Sequence, residues 1–340
     1  RKISPALIQR LKLMADLDIA EKRLPQDGRF MLRLKQRAVD VRMSTVPTQF
    51  GESAVLRLLT GSGSAGLANL AMTADHFARF TKLIHRPHGL ILVTGPTGSG
   101  KTTTLYAALA DLNTPERKIL TVEDPVEYRL PGLNQIQVND KIDLTFARAL
   151  RAFLRQDPDV ILLGEMRDAE TAQIALRAAI TGHLVLSTLH TNDTPSAAAR
   201  LMDMGAPAYL LATSLAGIVA QRLVRKLCTA CAAPAELDAN ERAWLRDELA
   251  DGLQTGQIRQ AKGCSHCNHT GYQGRQGIYE LLEVDGELAT LLNRGDTNAF
   301  RLAAGQRLIG QTLRDEALRL VREGVTSVAE AMRVTHQVDE

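Results

Sequence analysis

Leu90-Ile91-Leu92-Val93-Thr94-Gly95-Pro96-Thr97-Gly98-Ser99-Gly100-Lys101-Thr102-Thr103 is the stretch whose reading decides the fold. The apolar run Leu90 to Val93 has strand length and no polar alternation, as in a sheet buried on both faces. Gly95 to Thr102 then matches GxxxxGK[ST] in full, and Thr102 to Leu112 carries a helical pattern. Strand, glycine loop and helix in that order form the context in which such a loop cradles phosphate. The glycines let successive backbone N–H groups converge on phosphate oxygens. The helix aims its positive end at the same place. Lys101 is therefore expected to reach the β- and γ-phosphates of ATP, and the Thr102 hydroxyl to bind Mg²⁺. Gly95, Pro96, Thr97, Gly98, Ser99, Gly100 and Thr103 complete the expected nucleotide contact.

Outward from this loop the same alternation continues. Runs of strand length recur at Ile119 to Val122, Val160 to Leu163 and Leu184 to Leu186, separated by helical segments such as Ala169 to Ile180. Asp168 stands where an N-cap belongs, with Glu170 in the first turn, and Thr194-Pro195 marks another helix start. Alternation of this kind implies a parallel α/β sheet with helices on both faces. Upstream, residues 3–15 have helical spacing, with Ser4 and Pro5 at the start. Short β-rich runs follow at Arg29 to Leu34, Ala38 to Met43 and Ala54 to Leu59, after a turn at Pro25 to Gly28. The expected organisation is a small α/β domain over 1–60, a flexible glycine-rich linker over 61–66 and an ATPase core over 67–227. A cysteine-bearing subdomain over 228–282 and a helical C-terminal subdomain over 283–340 complete it.

Bulk properties narrow the function. A chain of 340 residues, 45% hydrophobic, is ample for more than one core. The net charge of +3, from 41 basic and 38 acidic residues, argues against a broad cationic nucleic-acid footprint. Aromatics at 4% argue against stacking platforms for single strands. No apolar run approaches the roughly 18 residues needed to cross a bilayer, so membrane association is expected only through partners. The chain opens on Arg1-Lys2 rather than Met, and a natural N-terminal part is expected to precede it.

A nucleotide site also needs carboxylates. Thr121 to Tyr128 (TVEDPVEY) follows a strand and gathers Glu123, Asp124 and Glu127 where α/β sites form. Asp157 to Glu165 resembles a Walker B strand, except that Gly164 occupies the place of the usual magnesium-binding Asp. Metal binding is thereby shifted toward Glu123, Asp124 or Glu127, and Glu165 is left to orient or deprotonate water. His183 and His190 bracket the run Leu184 to Leu189. His190, at the strand's end, is the stronger candidate for sensing the γ-phosphate. Arg148, Arg151 and Arg155 share a helical face and read by default as a solvated basic stripe.

The cysteines form two C-x-x-C pairs, Cys228/Cys231 and Cys264/Cys267, with thirty-two residues between them. Four thiolates from two knuckles suit a closed structural Zn²⁺ site. A redox role suits one pair but leaves the other unexplained, and His266 and His269 are read as bystanders.

Taken together these motifs resemble the type II secretion and type IV pilus assembly ATPases, the GspE/PilB kind, over nearly the whole chain. The resemblance is carried by DIAEKRLPQDGRF, AVDVRMSTVP, GPTGSGKTT, TVEDPVEY, GEMRDAETAQIA, GHLVLSTLHTND, QRLVRKLC and GIYELLEV. It implies a RecA-like P-loop NTPase core with a small N-terminal α/β domain and a tetracysteine zinc subdomain. It further implies a cytoplasmic homohexamer, peripheral to the inner membrane, that couples ATP hydrolysis to pseudopilus or pilus assembly on platform proteins. TVEDPVEY matches the family's aspartate box, GEMRD its atypical Walker B and HLVLSTLH its histidine box. Arg42 and Arg57 match the family's γ-phosphate arginines. DIAEKRLPQDGRF leans toward the type II secretion branch, with pilus assembly the runner-up. A nucleic-acid-stimulated motor and a nucleotide-gated binding module are the rivals from other classes.

Overall fold

The computed structural model describes residues 3–34, 37–59, 66–250 and 252–335. It divides into two compact units, residues 1–64 with 127–129, and residues 65–126 with 130–340. Of the expected linker, residues 61–65 lie outside the described residues.

In the first unit, helix α1 (Ser4–Met14) opens with proline in its first turn, where a missing N–H costs nothing. Strands β1 (Gln26–Leu34), β2 (Arg37–Thr48) and β3 (Gly51–Leu59) form an antiparallel sheet in the order β1-β2-β3. Phe30, Val41 and Met43 point to one face and bury against Ile8 and Ala15. Gly28 shares that face, and a Cβ there would lie 2.6 Å from the Ala15 carbonyl oxygen. Only glycine lets the end of α1 lie so close to β1.

The second unit begins with α2 (Ala74–Ile84) and β4 (Gly89–Thr94). There follow α3 (Lys101–Leu112), β5 (Ile119–Glu123), β6 (Asn134–Gln137), α4 (Phe146–Phe153) and β7 (Val160–Leu163). Next come α5 (Ala169–Ile180), β8 (Leu184–Leu189), α6 (Thr194–Asp203), α7 (Ala208–Ser214) and β9 (Leu215–Leu227). The cysteine-bearing stretch holds β10 (Ala233–Pro234), α8 (Ala239–Trp244), α9 (Arg246–Ala250) and β11 (Arg259–Gln260). It leads into β12 (Tyr272–Glu283), and the chain ends in α10 (Gly286–Asn293), α11 (Thr297–Arg307), α12 (Leu313–Arg322) and α13 (Val328–Thr335).

Seven strands make one sheet in the order β12-β9-β4-β8-β7-β5-β6, parallel except that β12 runs antiparallel to β9. Every residue of β4, β5, β7 and β8 is buried, as expected of a sheet covered on both faces. Leu90, Leu92, Leu120, Val122, Ile161, Leu163 and Val185 form one core with residues of α4, α5 and α6. A second core joins Ala220, Val224 and Ile278 to α12, α13 and residues of the cysteine-bearing stretch, including Leu237, Leu245 and Ile258. The stretch expected as a separate subdomain thus contributes β12 to the central sheet. Asp168 caps α5 as expected, accepting from Thr171 N at 2.8 Å. Among the described residues no helix is long and apolar enough to cross a membrane.

Candidate functional site

Because β4, β5, β7 and β8 are parallel, their C-terminal ends lie along one edge of the sheet. The loops leaving that edge carry the candidate residues, the position at which open α/β sheets gather their sites. Gly95 to Gly100 leaves β4 and turns into α3 at Lys101. Gly95 has φ 148° and Gly100 has φ 93°, backbone conformations that side chains disfavour. Both are also crowded: a Cβ on Gly95 would meet the Gln221 carbonyl at 2.5 Å, and one on Gly100 the Gln221 amide nitrogen at 2.7 Å. Lys101 is 9% exposed, and its Nζ donates to Gly95 O at 2.7 Å and Pro96 O at 3.2 Å. Burial pulls its ammonium down to about 8, with the Glu165 carboxylate opposing the shift. Ser99 Oγ is buried in the loop without a hydrogen-bond partner among the described residues. A loop with a lysine turned back on its own carbonyls and an unpartnered hydroxyl is suited to receive phosphate oxygens.

Glu165 follows β7, Asp124 follows β5 and His190 follows β8. The structure brings these three together. Arg167 Nε donates to Glu165 Oε1 at 2.7 Å, and Arg167 NH2 lies 3.3 Å from Asp124 Oδ2. His190 Nε2 lies 3.3 Å from the other oxygen, Glu165 Oε2. Gly164 is packed against β5, where a Cβ would lie 3.2 Å from Val122 O and 3.3 Å from Glu123 Cα. A side chain in the usual aspartate position would therefore press on the neighbouring strand.

Two of the three acids expected near a metal have other contacts. Alternation along β5 sends Glu123 into a buried polar set. It accepts from Thr121 Oγ1 at 2.6 Å, Gln135 Nε2 at 3.3 Å and the Tyr106 hydroxyl. These donors hold its carboxylate within the core. Glu127 clusters with the first unit, where its Oε2 lies 3.0 Å from Arg42 NH2. In that sheet the register sets Arg29 opposite Arg42 and Arg42 opposite Arg57. Like charges directly across a sheet repel. Asp40, accepting from Arg29 Nε at 2.8 Å, and Glu127 offset this at two of the three positions. His183 Nδ1 lies 2.9 Å from Ala178 O, at the end of α5. Of the basic stripe, Arg148 pairs with Asp143 at 3.0 Å and Arg151 with Glu170.

The cysteine sulfurs all lie within 4.8 Å of one another. Cys228 to Cys264 and Cys231 to Cys267 are each 3.9 Å apart, and Cys264 to Cys267 is 3.8 Å. Four thiolates about 2.3 Å from one ion would stand about 3.8 Å apart in a tetrahedron, so the set fits zinc. Cys267 Sγ also accepts N–H bonds from Cys264 and Gly271, each 3.2 Å. Burial opposes ionisation of Cys267, but these donors bring its thiol down to about 6.

The family model for type II/IV secretion system proteins matches residues 1–333. This chain belongs to that family. Among its relatives, the type II secretion system ATPase E of Vibrio cholerae serotype O1 is 52% identical over 338 residues, covering 99% of this chain and 66% of the relative. The type II secretion system protein E of Dickeya dadantii is 52% identical over 343 residues, covering 99% of this chain and 67% of the relative. This secretion system protein therefore spans about two-thirds of the length of those relatives. Among solved structures, the pilus retraction motor PilT with bound ADP is 29% identical, with a TM-score of 0.67 over 96% of this chain and 79% of that one. The ATPase DotB of Legionella pneumophila has the same fold, with a TM-score of 0.67 at 22% identity over 92% of this chain and 78% of that one.

Within this member of the family, three residues were given no role by the motif reading. Arg167 bridges Asp124 and Glu165. It stands two residues past Glu165 in GEMRD, which was the available signal. Gln221 and Arg222 crowd the phosphate loop from a strand more than a hundred residues away; they open the stretch QRLVRKLC, which carried the resemblance but gave them no role.

Proposed function

We propose that this secretion system protein hydrolyses ATP at Gly95 to Thr103 and works as a ring-forming motor, most naturally a homohexamer, in type II protein secretion. The observation that carries the reading is the convergence at one sheet edge of the Lys101 loop with Glu165, Asp124 and His190. Backbone N–H groups of the loop and Lys101 would bind the phosphates. Glu165 is mostly buried and oriented by Arg167, and it accepts a proton from the attacking water. His190 holds the second oxygen of that carboxylate and can respond to the γ-phosphate through it. Thr102 and Asp124 would hold Mg²⁺, which neutralises phosphate charge when bound. Arg42 and Arg57 supply positive charge to the transferring phosphoryl group. The four cysteines would hold Zn²⁺ as a structural crosslink. Platform proteins of the inner membrane are the partners through which a cytoplasmic ring would act. The relatives' names and the motif set support the secretion assignment, and the modest net charge of +3 speaks against a nucleic-acid motor.

The test is ATP hydrolysis against protein concentration, wild type beside Glu165→Gln. Specific activity that rises with concentration and drops at least a hundredfold in the variant is expected. Activity that is flat with concentration, or unchanged by the variant, would sink the ring motor or the catalytic assignment respectively.

A further inference from the structure

Gln221 and Arg222 lie side by side on β9, each 2% exposed, and no role in the reading above uses them. Alternation along the strand sends them to opposite faces. Gln221 reaches α3 and the phosphate loop: its Nε2 donates to Ser99 O at 2.8 Å, and its Oε1 accepts from Thr104 Oγ1 at 2.7 Å. Arg222 reaches the turn after β8, donating from NH2 to Asn192 O at 2.8 Å and to Asn192 Oδ1 at 3.2 Å. Its NH1 donates to the Gln221 carbonyl at 3.0 Å, and its Nε is buried without a partner among the described residues. That same Gln221 carbonyl fills the space where Gly95 lacks a side chain.

The consequence follows from peptide geometry. In a trans peptide the C=O and the next N–H point in opposite directions. Pinning the Ser99 carbonyl down onto Gln221 therefore turns the Gly100 N–H away from β9, to the concave side of the loop. Asn192, two residues past His190, is tied by Arg222 to the same point of β9. We propose that Gln221 and Arg222 are positioning residues for nucleotide binding, a brace beneath the phosphate loop that fixes the direction of its N–H groups and its distance from the His190 turn. The proposal rests on the reading of Gly95 to Thr102 as a phosphate site.

The experiment measures the Kd of ADP and of inorganic pyrophosphate for the whole chain, with the thermal midpoint of each ligand-free protein. In Gln221→Glu the side chain keeps its volume and its acceptor for Thr104, but it sets a carboxylate oxygen against the Ser99 carbonyl. Both ligands are expected to bind at least tenfold more weakly, with a ligand-free midpoint within a few degrees of wild type. Arg222→Lys keeps the charge and loses the two-point grip on Asn192. There the KM for ATP is expected to rise about fivefold with kcat within twofold, a split that general loosening does not produce. Ligand affinities within twofold of wild type in Gln221→Glu, or an unchanged KM in Arg222→Lys, overturn the brace. Should Gln221→Glu fail to fold, the Arg222→Lys result decides alone. Lys101→Ala separates the two levels of the argument. Binding lost there but kept in Gln221→Glu removes the brace and leaves the phosphate site standing. A wild-type chain that binds neither ligand removes both.

Discussion

Lys101 shows how burial sets chemistry at a single position. Its ammonium is folded onto Gly95 and Pro96 carbonyls and its pKa is pulled down to about 8. Only the cationic form attracts phosphate, so the free chain must take up a proton on binding once the pH passes that value. Affinity for ADP is therefore expected to hold near pH 7 and to fall as pH rises through about 8; titration calorimetry from pH 7 to 9.5 checks this, and a flat profile would count against it. Glu330 presents the opposite case. Burial raises its pKa, yet hydrogen bonds from Arg333 and Arg225 outweigh that and hold it down to about 2, below the ordinary 4.5. A depressed carboxyl contributes stability that is complete above pH 4.5 and is lost as pH falls toward 2. Glu330→Gln is expected to lower the thermal midpoint at pH 7 and to flatten the loss of stability between pH 4.5 and 2.

At the scale of elements, what the sequence revealed depended on whether the signal was local. β4, β5, β7 and β8 announce themselves as short apolar runs, and α5 by its Asp168 cap. The loop residues from Gly95 to Thr102, Asp124, Glu165 and His190 were readable because each follows such a strand. β9 was not. It is buried on both faces over most of its length, so Gln221 and Arg222 mark no exposed side, and its mixture of Leu, Ala and Lys suits a helix as well. Its Gly217 lies against α2: a Cβ there would lie 2.8 Å and 3.0 Å from the methyls of buried Leu83 and 3.3 Å from Leu282 O. Gly217→Ala is expected to cost about 1–3 kcal/mol through overpacking, read as a lower denaturant midpoint with ADP affinity retained in the folded fraction. Nor was the fate of Glu123 legible. Its occupation by Thr121, Gln135 and Tyr106 depends on which face of β5 it takes, and the apolar run around it gives no alternation to decide that.

For the whole molecule, the zinc-compatible cysteines and the phosphate loop are joined by one piece of structure. β9 runs from Gln221, beneath the loop, to Leu227, and Cys228 follows at once. β12 pairs Tyr272 with Leu227 and Tyr279 with Gln221. Just before Tyr272, Gly271 accepts from Cys228 N at 2.9 Å and donates to Cys267 Sγ. The four sulfurs thus stand at one end of the β9–β12 ladder, which carries the brace at Gln221 about 20 Å further along, at roughly 3.3 Å per residue, and continues to Gly217 paired with Glu283. A ladder fastened at its end cannot unzip from that end. If zinc occupies the cysteines as proposed, a chelator should let amide exchange spread from Leu227 and Tyr272 inward, reaching Gln221 only after the residues between, and ADP affinity should fall only when that advance arrives. Exchange that rises uniformly along β9, or that leaves the Cys228 end protected, would mean the fastener bears no such load. A zinc ion held by the four cysteines, as proposed above, would serve as a stop against fraying, set where the cysteine-bearing stretch joins the strand that lies beneath the phosphate loop.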